Sequence, residues 1–154
     1  MDIQLLLVPY DSGQRGWRCG AGPEHLVRAG LPAHLQRQGH IATAIHIIKD
    51  DPTYPPAEIR TAFELAWRLD ATVRSARTAG HFSLVLSGNC NTAVGTLNPN
   101  GLSLRHLTAA IAAVRARVPL GAAALTSYSP EDDHDQGVCR AAFAAIDAIV
   151  ANGT

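Results

Sequence analysis

Lysine is almost missing from this chain: Lys49 stands alone against twelve arginines. That takes away the commonest Schiff-base nucleophile. Aromatic residues make up only 5% of the 154 positions, which leaves little with which to stack the bases of single-stranded nucleic acid. Charge of one sign is also absent. Thirteen basic residues balance thirteen acidic ones, so neither nucleic acid nor an anionic membrane surface is expected as the main partner. No apolar run approaches the roughly 18 residues of a membrane span, and the first apolar stretch lacks the basic flank of a signal peptide. Cys19, Cys90 and Cys139 are too few and too scattered for a disulfide scaffold, and no C-x-x-C pair occurs. Free thiols in a reducing, cytoplasmic setting are expected.

What remains is material for one domain, 47% hydrophobic, with strands and helices in alternation. The run Ile3 to Pro9 reads as a strand buried on both faces. A loop with Gly13, Gly16, Gly20 and Gly22 leads to Pro23 at a first-turn position, and a helical pattern follows to Gln38, broken by Gly30 and Pro32. Ile41 to Ile48 is the second strand. After an irregular connector containing Pro55-Pro56, Glu58 to Ala79 is the longest helix, with Ile59, Phe63, Ala66, Leu69 and Val73 as its core positions. Phe82 to Leu86 is the third strand, and Ser87 to Thr92 turns from it into a short helix. Asn98 to Gly101 is a turn. Ser103 caps a helix carrying Leu104, Leu107, Ile111, Val114 and Val118, and Gly121 to Thr126 is the fourth strand. A polar loop, Ser127 to Gly137, enters the last helix, with Asp135 expected to cap it. Four such alternations predict an α/β fold, three layers with helices around a mainly parallel sheet. Ligands on such sheets bind beyond the carboxyl ends of the strands, here at Tyr10 to Gly22, Ser87 to Thr92 and Ser127 to Gly137.

The glycine-rich loop matches neither a dinucleotide fingerprint nor a Walker A sequence. Its glycines are read as supplying positive φ angles in a surface loop, with Arg15, Trp17 and Arg18 as a solvated rim, in preference to an anion cradle. Cys90 sits just past a buried strand where the chain turns into a helix, a place that lowers a thiol's pKa and resembles a nucleophile elbow. A nucleophile there needs a base such as His106 or His134; otherwise Cys90 is a small buried hydrophobe. The seven histidines form no His-x-His or His-x-x-x-His pair, and Glu131 to Asp135 lacks the alternation of a calcium loop.

The order of the motifs is more specific than any one of them. Tyr10 to Leu26 with its Gly22-Pro23, then Arg28-Ala29-Gly30-Leu31, resembles the opening of the ureohydrolase family of arginases, agmatinases and formiminoglutamases. Leu84 to Gly95, which contains Ser87-Gly88-Asn89-Cys90-Asn91-Thr92, is similar to that family's Gly-Gly-Asp-His-Ser block. Gly101-Leu102-Ser103, Leu125 to Pro130 and Asp133 resemble its closing segment. The three pieces span nearly the whole of residues 1–154, and the resemblance implies a single, abbreviated arginase-like domain.

The family uses a manganese pair to activate a hydroxide that attacks a guanidinium or amidine carbon. Here Cys90 stands at the position of the family's histidine ligand, and Asn89 replaces the preceding aspartate. Neither an Asp-Ala-His-x-Asp string nor the later Asp-x-Asp strand occurs, as though a central block had been deleted near 97–98. Ser127 stands where the family's closing motif has a substrate-contacting glutamate. Hard divalent ions want several oxygen and imidazole ligands. The resemblance therefore implies hydrolysis of C–N bonds in guanidino or amidino compounds, with the manganese centre degraded or absent and metal binding none or weak. Asn89, Asn91 and Ser127 are the expected substrate-binding residues, with Cys90 as catalytic or metal-binding candidate. Two other readings stand beside it: an inactive relative that binds a ligand or partner, and a Cys90-dependent hydrolase or redox protein. Deleting central strands leaves sheet edges to be covered, so a homo-oligomer joined through that edge is expected.

Overall fold

The computed structural model describes residues 1–55, 57–88 and 104–151, with the backbone alone at Thr43 and Ala44. Four parallel strands form the central sheet: β1 (Asp2–Val8), β4 (Ile41–Ile47), β5 (Phe82–Ser87) and β6 (Ala122–Thr126), in the order β4-β1-β5-β6. A two-stranded antiparallel ribbon, β2 (Tyr10–Asp11) with β3 (Gln14–Arg15), occupies the loop after β1. The sequence pattern contained no sign of that ribbon.

β1 is one of two interior strands, pairing Ile3 to Val8 with Phe82 to Ser87 on one side and β4 on the other. Its register to β4 slips between Ile3 and Gln4. Both faces of β1 are covered, which is why its apolar residues run on without alternation. On one face Ile3, Leu5 and Leu7 pack with Leu84 and Leu86 against α1 (Gly22–Arg28), α2 (Leu31–Arg37) and α5 (Gly137–Val150). On the other, Leu6, Val8 and Val85 meet Leu65 of α3 (Glu58–Thr78), with Leu69 and Val73 alongside. The result is the expected three-layer α/β architecture. Gly30, at φ +96°, breaks the first helical stretch into α1 and α2, and each begins with a proline in its first turn. His34 and Asp147, 2.6 Å apart, join α2 to α5.

Two helices depart from the expected core. Leu65, Leu69 and Val73 turn α3 toward the sheet, and the opposite stripe of Ile59, Phe63 and Trp67 is 74%, 71% and 82% exposed. The reading that placed Ile59 and Phe63 inside is thereby corrected: α3 is apolar on two sides, and only one meets the sheet. Helix α4 (Leu104–Arg115) packs against α5 and buries no residue fully, so Leu104, Leu107, Val114 and Val118 are exposed rather than core.

Candidate functional site

Three strand ends are tied together at the carboxyl edge of the sheet. The Gly88 N–H donates to the Val8 carbonyl at 3.0 Å, the Ser127 N–H to the Ser87 carbonyl at 3.2 Å, and the Gly16 N–H to the Pro9 carbonyl at 2.8 Å. The glycine-rich loop folds back over this junction. A Cβ on Gly88 would lie 2.5 Å from the Gly20 Cα and 2.6 Å from the Tyr10 carbonyl oxygen, so the two backbones cross where position 88 has no room for a side chain. The expectation for this loop is half right. Gly13 and Gly16 do take φ of +77° and +70°, but Gly20 does not, being required by close approach instead. Arg15, Trp17 and Arg18 are exposed, as read from the sequence.

Beneath the loop, on the α3 side, lies a cavity of about 170 Å³ lined by Val8, Tyr10, Gly13, Thr61, Leu65 and Ser87, among others. Tyr10 is buried and its hydroxyl donates to Asp50 Oδ1 at 2.5 Å. Burial, then this bond to a carboxylate, pushes the Tyr10 pKa up. The contact pins the end of β1 to the segment after β4.

On the other side, the loop after β6 is organised around Asp133. Its Oδ1 accepts the Val138 N–H at 2.9 Å, and its Oδ2 accepts the Cys139 N–H at 2.8 Å and the Tyr128 hydroxyl at 3.2 Å. Burial alone would raise this carboxyl. The backbone donors of Val138 and Cys139, helped by Tyr128 and Arg140, outweigh it and hold the pKa below the usual carboxylate range. Asp133 is thus the main cap of α5. Asp135, the residue expected there, accepts only the Gly137 N–H, because Gln136 adopts φ +56° and turns the chain between them. Burial, then the negative potential of Cys139 and the bond to Asp133, pushes the Tyr128 pKa well up.

Charges of both signs act on Cys19 near the loop crossing. Cys19, beside Gly20, has its pKa raised by burial and then by Asp11, with Asp132 of the β6 loop acting in the same sense against Arg18. Asp11 and Asp132 therefore face one locality from two loops, and the Cys19 thiol is a poor nucleophile there. Cys139 is buried, and Cys19 and Cys139 are free thiols.

No family model and no curated protein matches this sequence. Solved structures do. Arginase from Bacillus subtilis superposes with a TM-score of 0.80 at 11% identity, covering 99% of this chain and 99% of that one. Arginase from Bacillus cereus superposes with a TM-score of 0.50 at 19% identity over 72% of this chain and 35% of that one. The fold is arginase-like.

Of the expected site residues, Ser127 alone lies within the described part of this arginase-like fold. Ser127 is the first residue past β6, at φ +64°, with its N–H on the strand end that leads through Gly88 to position 89. Asn89, Cys90, Asn91 and the junction near 97–98 lie outside the described residues. Among the described residues, no three His, Cys, Asp or Glu side chains gather as cation ligands. The donor chemistry agrees: Asp50 is taken by Tyr10, and both Asp133 oxygens are filled by the cap and Tyr128. The pairing of Tyr10 with Asp50 was missed from the sequence. An aromatic two residues beyond the ends of β1 and β6, at Tyr10 and Tyr128, was the available signal. No helix among the described residues is long and apolar enough to cross a membrane.

Proposed function

We propose that this is a ureohydrolase-like protein that takes a small guanidino or amidino compound at the carboxyl ends of β1, β5 and β6 and acts on its C–N bond, with the paired-manganese centre degraded. One observation carries the reading. The Ser127 to Ser87 bond sets two chain segments side by side, and both resemble ureohydrolase motifs that lie far apart in sequence. Asp11 and Asp132 stand on two of the loops at this edge, and carboxylates there would attract a delocalised cation. A planar guanidinium offers several N–H donors, which suit the carbonyls and hydroxyls of Ser87, Ser127 and the asparagines at 89 and 91. Cys90 keeps the place of a ligand or nucleophile. Cytoplasmic location fits the free thiols.

Titration of the metal-free protein with arginine, agmatine and guanidinobutyrate tests the binding step, and urea release with and without manganese tests the chemistry. Saturable binding of at least one compound is expected, weakened by Asp132→Asn and by replacement of Asn89. No binding by any of the three overturns the reading. A full complement of two tightly held manganese ions per chain overturns the degraded-centre part alone.

A further inference from the structure

The cavity of about 170 Å³ under the glycine-rich loop has walls from three parts of the fold. Val8 and Ser87 bound it at the strand ends, Thr61 and Leu65 from α3, and Tyr10 and Gly13 from the ribbon. Gly13, at φ +77°, lies where a Cβ would come within 2.9 Å of the Glu58 Cα, so the ribbon turn rests on the first turn of α3. None of the described residues around the cavity carries a charge. The Tyr10 hydroxyl is committed to Asp50, and Thr61 Oγ1 accepts the Ala57 N–H at 3.4 Å. A carboxylate or ammonium placed inside would lose its water and find no partner of opposite sign. Hydrocarbon would gain by the same transfer. Apolar cavities of about 150 Å³ take up benzene-sized molecules, so this one has room for about four to six carbon atoms.

Position indicates what such a hydrocarbon belongs to. Ser87 lines the cavity, and its carbonyl accepts the Ser127 N–H at 3.2 Å, the bond that joins the two motif segments at the strand ends. The cavity therefore begins at the place where the planar head of the ligand is proposed to sit. We propose that it takes the hydrocarbon arm of that same guanidino compound, so that the protein selects N-alkylguanidines with a short neutral arm over amino-acid-like ones. This inference rests on the function proposed above and names the substrate class within it. Compounds whose arm ends in a charge, such as arginine, bind by the head with the arm left in water and gain nothing from the cavity.

Titration calorimetry of the full chain with guanidinium, n-butylguanidine and arginine tests the proposal. Each methylene that enters the cavity should strengthen binding about two- to fourfold. Butylguanidine is therefore expected to bind at least about tenfold more tightly than guanidinium, and arginine within about threefold of it. Ala62→Leu, at a half-buried position on the cavity wall, fills the space and should erase the butyl gain with circular dichroism unchanged. Benzene needs no guanidino head; it should raise the Tm of the unaltered chain and not that of Ala62→Leu. Equal affinity for guanidinium and butylguanidine overturns the inference and leaves the proposed function standing. A butyl gain that survives Ala62→Leu, or a Tm indifferent to benzene, overturns it as well. Stabilisation by benzene with no binding of any guanidino compound overturns the proposed function and the assignment of the arm together.

Discussion

Tyr128 and Asp133 form a buried pair, hydroxyl on carboxylate at 3.2 Å, and the same carboxylate takes the first free N–H groups of α5. The group is held ionised in the folded protein, with its pKa below the value of an unfolded aspartate. Its contribution to stability is therefore complete above about pH 4 and is lost as the pH falls through the folded value. Thermal melts should show Tm declining through this acid range, and Asp133→Asn should lower Tm at neutral pH and flatten the decline. An unchanged acid profile in the variant would assign the sensitivity to other carboxylates.

Alkaline titration should report on Tyr10 and Tyr128. Tyr10 and Tyr128 have raised pKa values from burial, so the folded state keeps protons that the unfolded chain releases. That stability is present below about pH 10 and is lost as the pH rises through the folded values. Tyrosinate absorbance should show two delayed groups that ionise normally once the protein is unfolded. Tyr10→Phe removes one of the two and, by unpairing Asp50, should cost about 1–2 kcal/mol in denaturant unfolding.

Gly88→Ala is expected to be severe. Every atom its new methyl would strike belongs to a backbone, at Gly20 or Tyr10, and cannot swing aside. A loss of about 2–4 kcal/mol follows from forcing the two loops apart, and ligand binding should fall with it. A near-neutral midpoint would mean that the crossing is looser than described.

Ser127 holds φ at +64°, a conformation that costs a side chain about 1 kcal/mol. Ser127→Gly should raise stability by about 0.5–1 kcal/mol. If the hydroxyl contacts the ligand, the same change weakens binding of guanidino compounds. Gain without loss would leave Ser127 as a turn residue only.

The order and extent of the main elements were legible because local signals agreed: a continuous apolar run for β1, Gly30 and Pro32 splitting α1 from α2, and Gly80 ending α3. Orientation was not legible. Periodicity along α3 places Phe63 and Leu65 on different faces but says nothing of which face meets the sheet. The α5 cap was misassigned for a related reason: the left-handed turn at Gln136, which no neighbouring residue signals, moves Asp133 rather than Asp135 under the N–H groups. Gly88 owes its identity to the backbone at Gly20 and Tyr10, across a long sequence separation, and a single sequence carries no trace of that. Ser127 follows the end of β6 as the strand pattern predicts, whereas the link between Tyr10 and Asp50 went unnoticed because their pairing exists only once β1 and β4 lie side by side.

The middle position of β1 has a consequence for synthesis. Ile3 finds its partner on one side at Ala42 and on the other only at Phe82. A leucine-rich segment thus leaves the ribosome early and waits, one flank open, until β5 has emerged. Long-range parallel pairing is slow to form, so nascent chains should be sensitive to chaperone supply and prone to aggregate when translation stalls before Phe82.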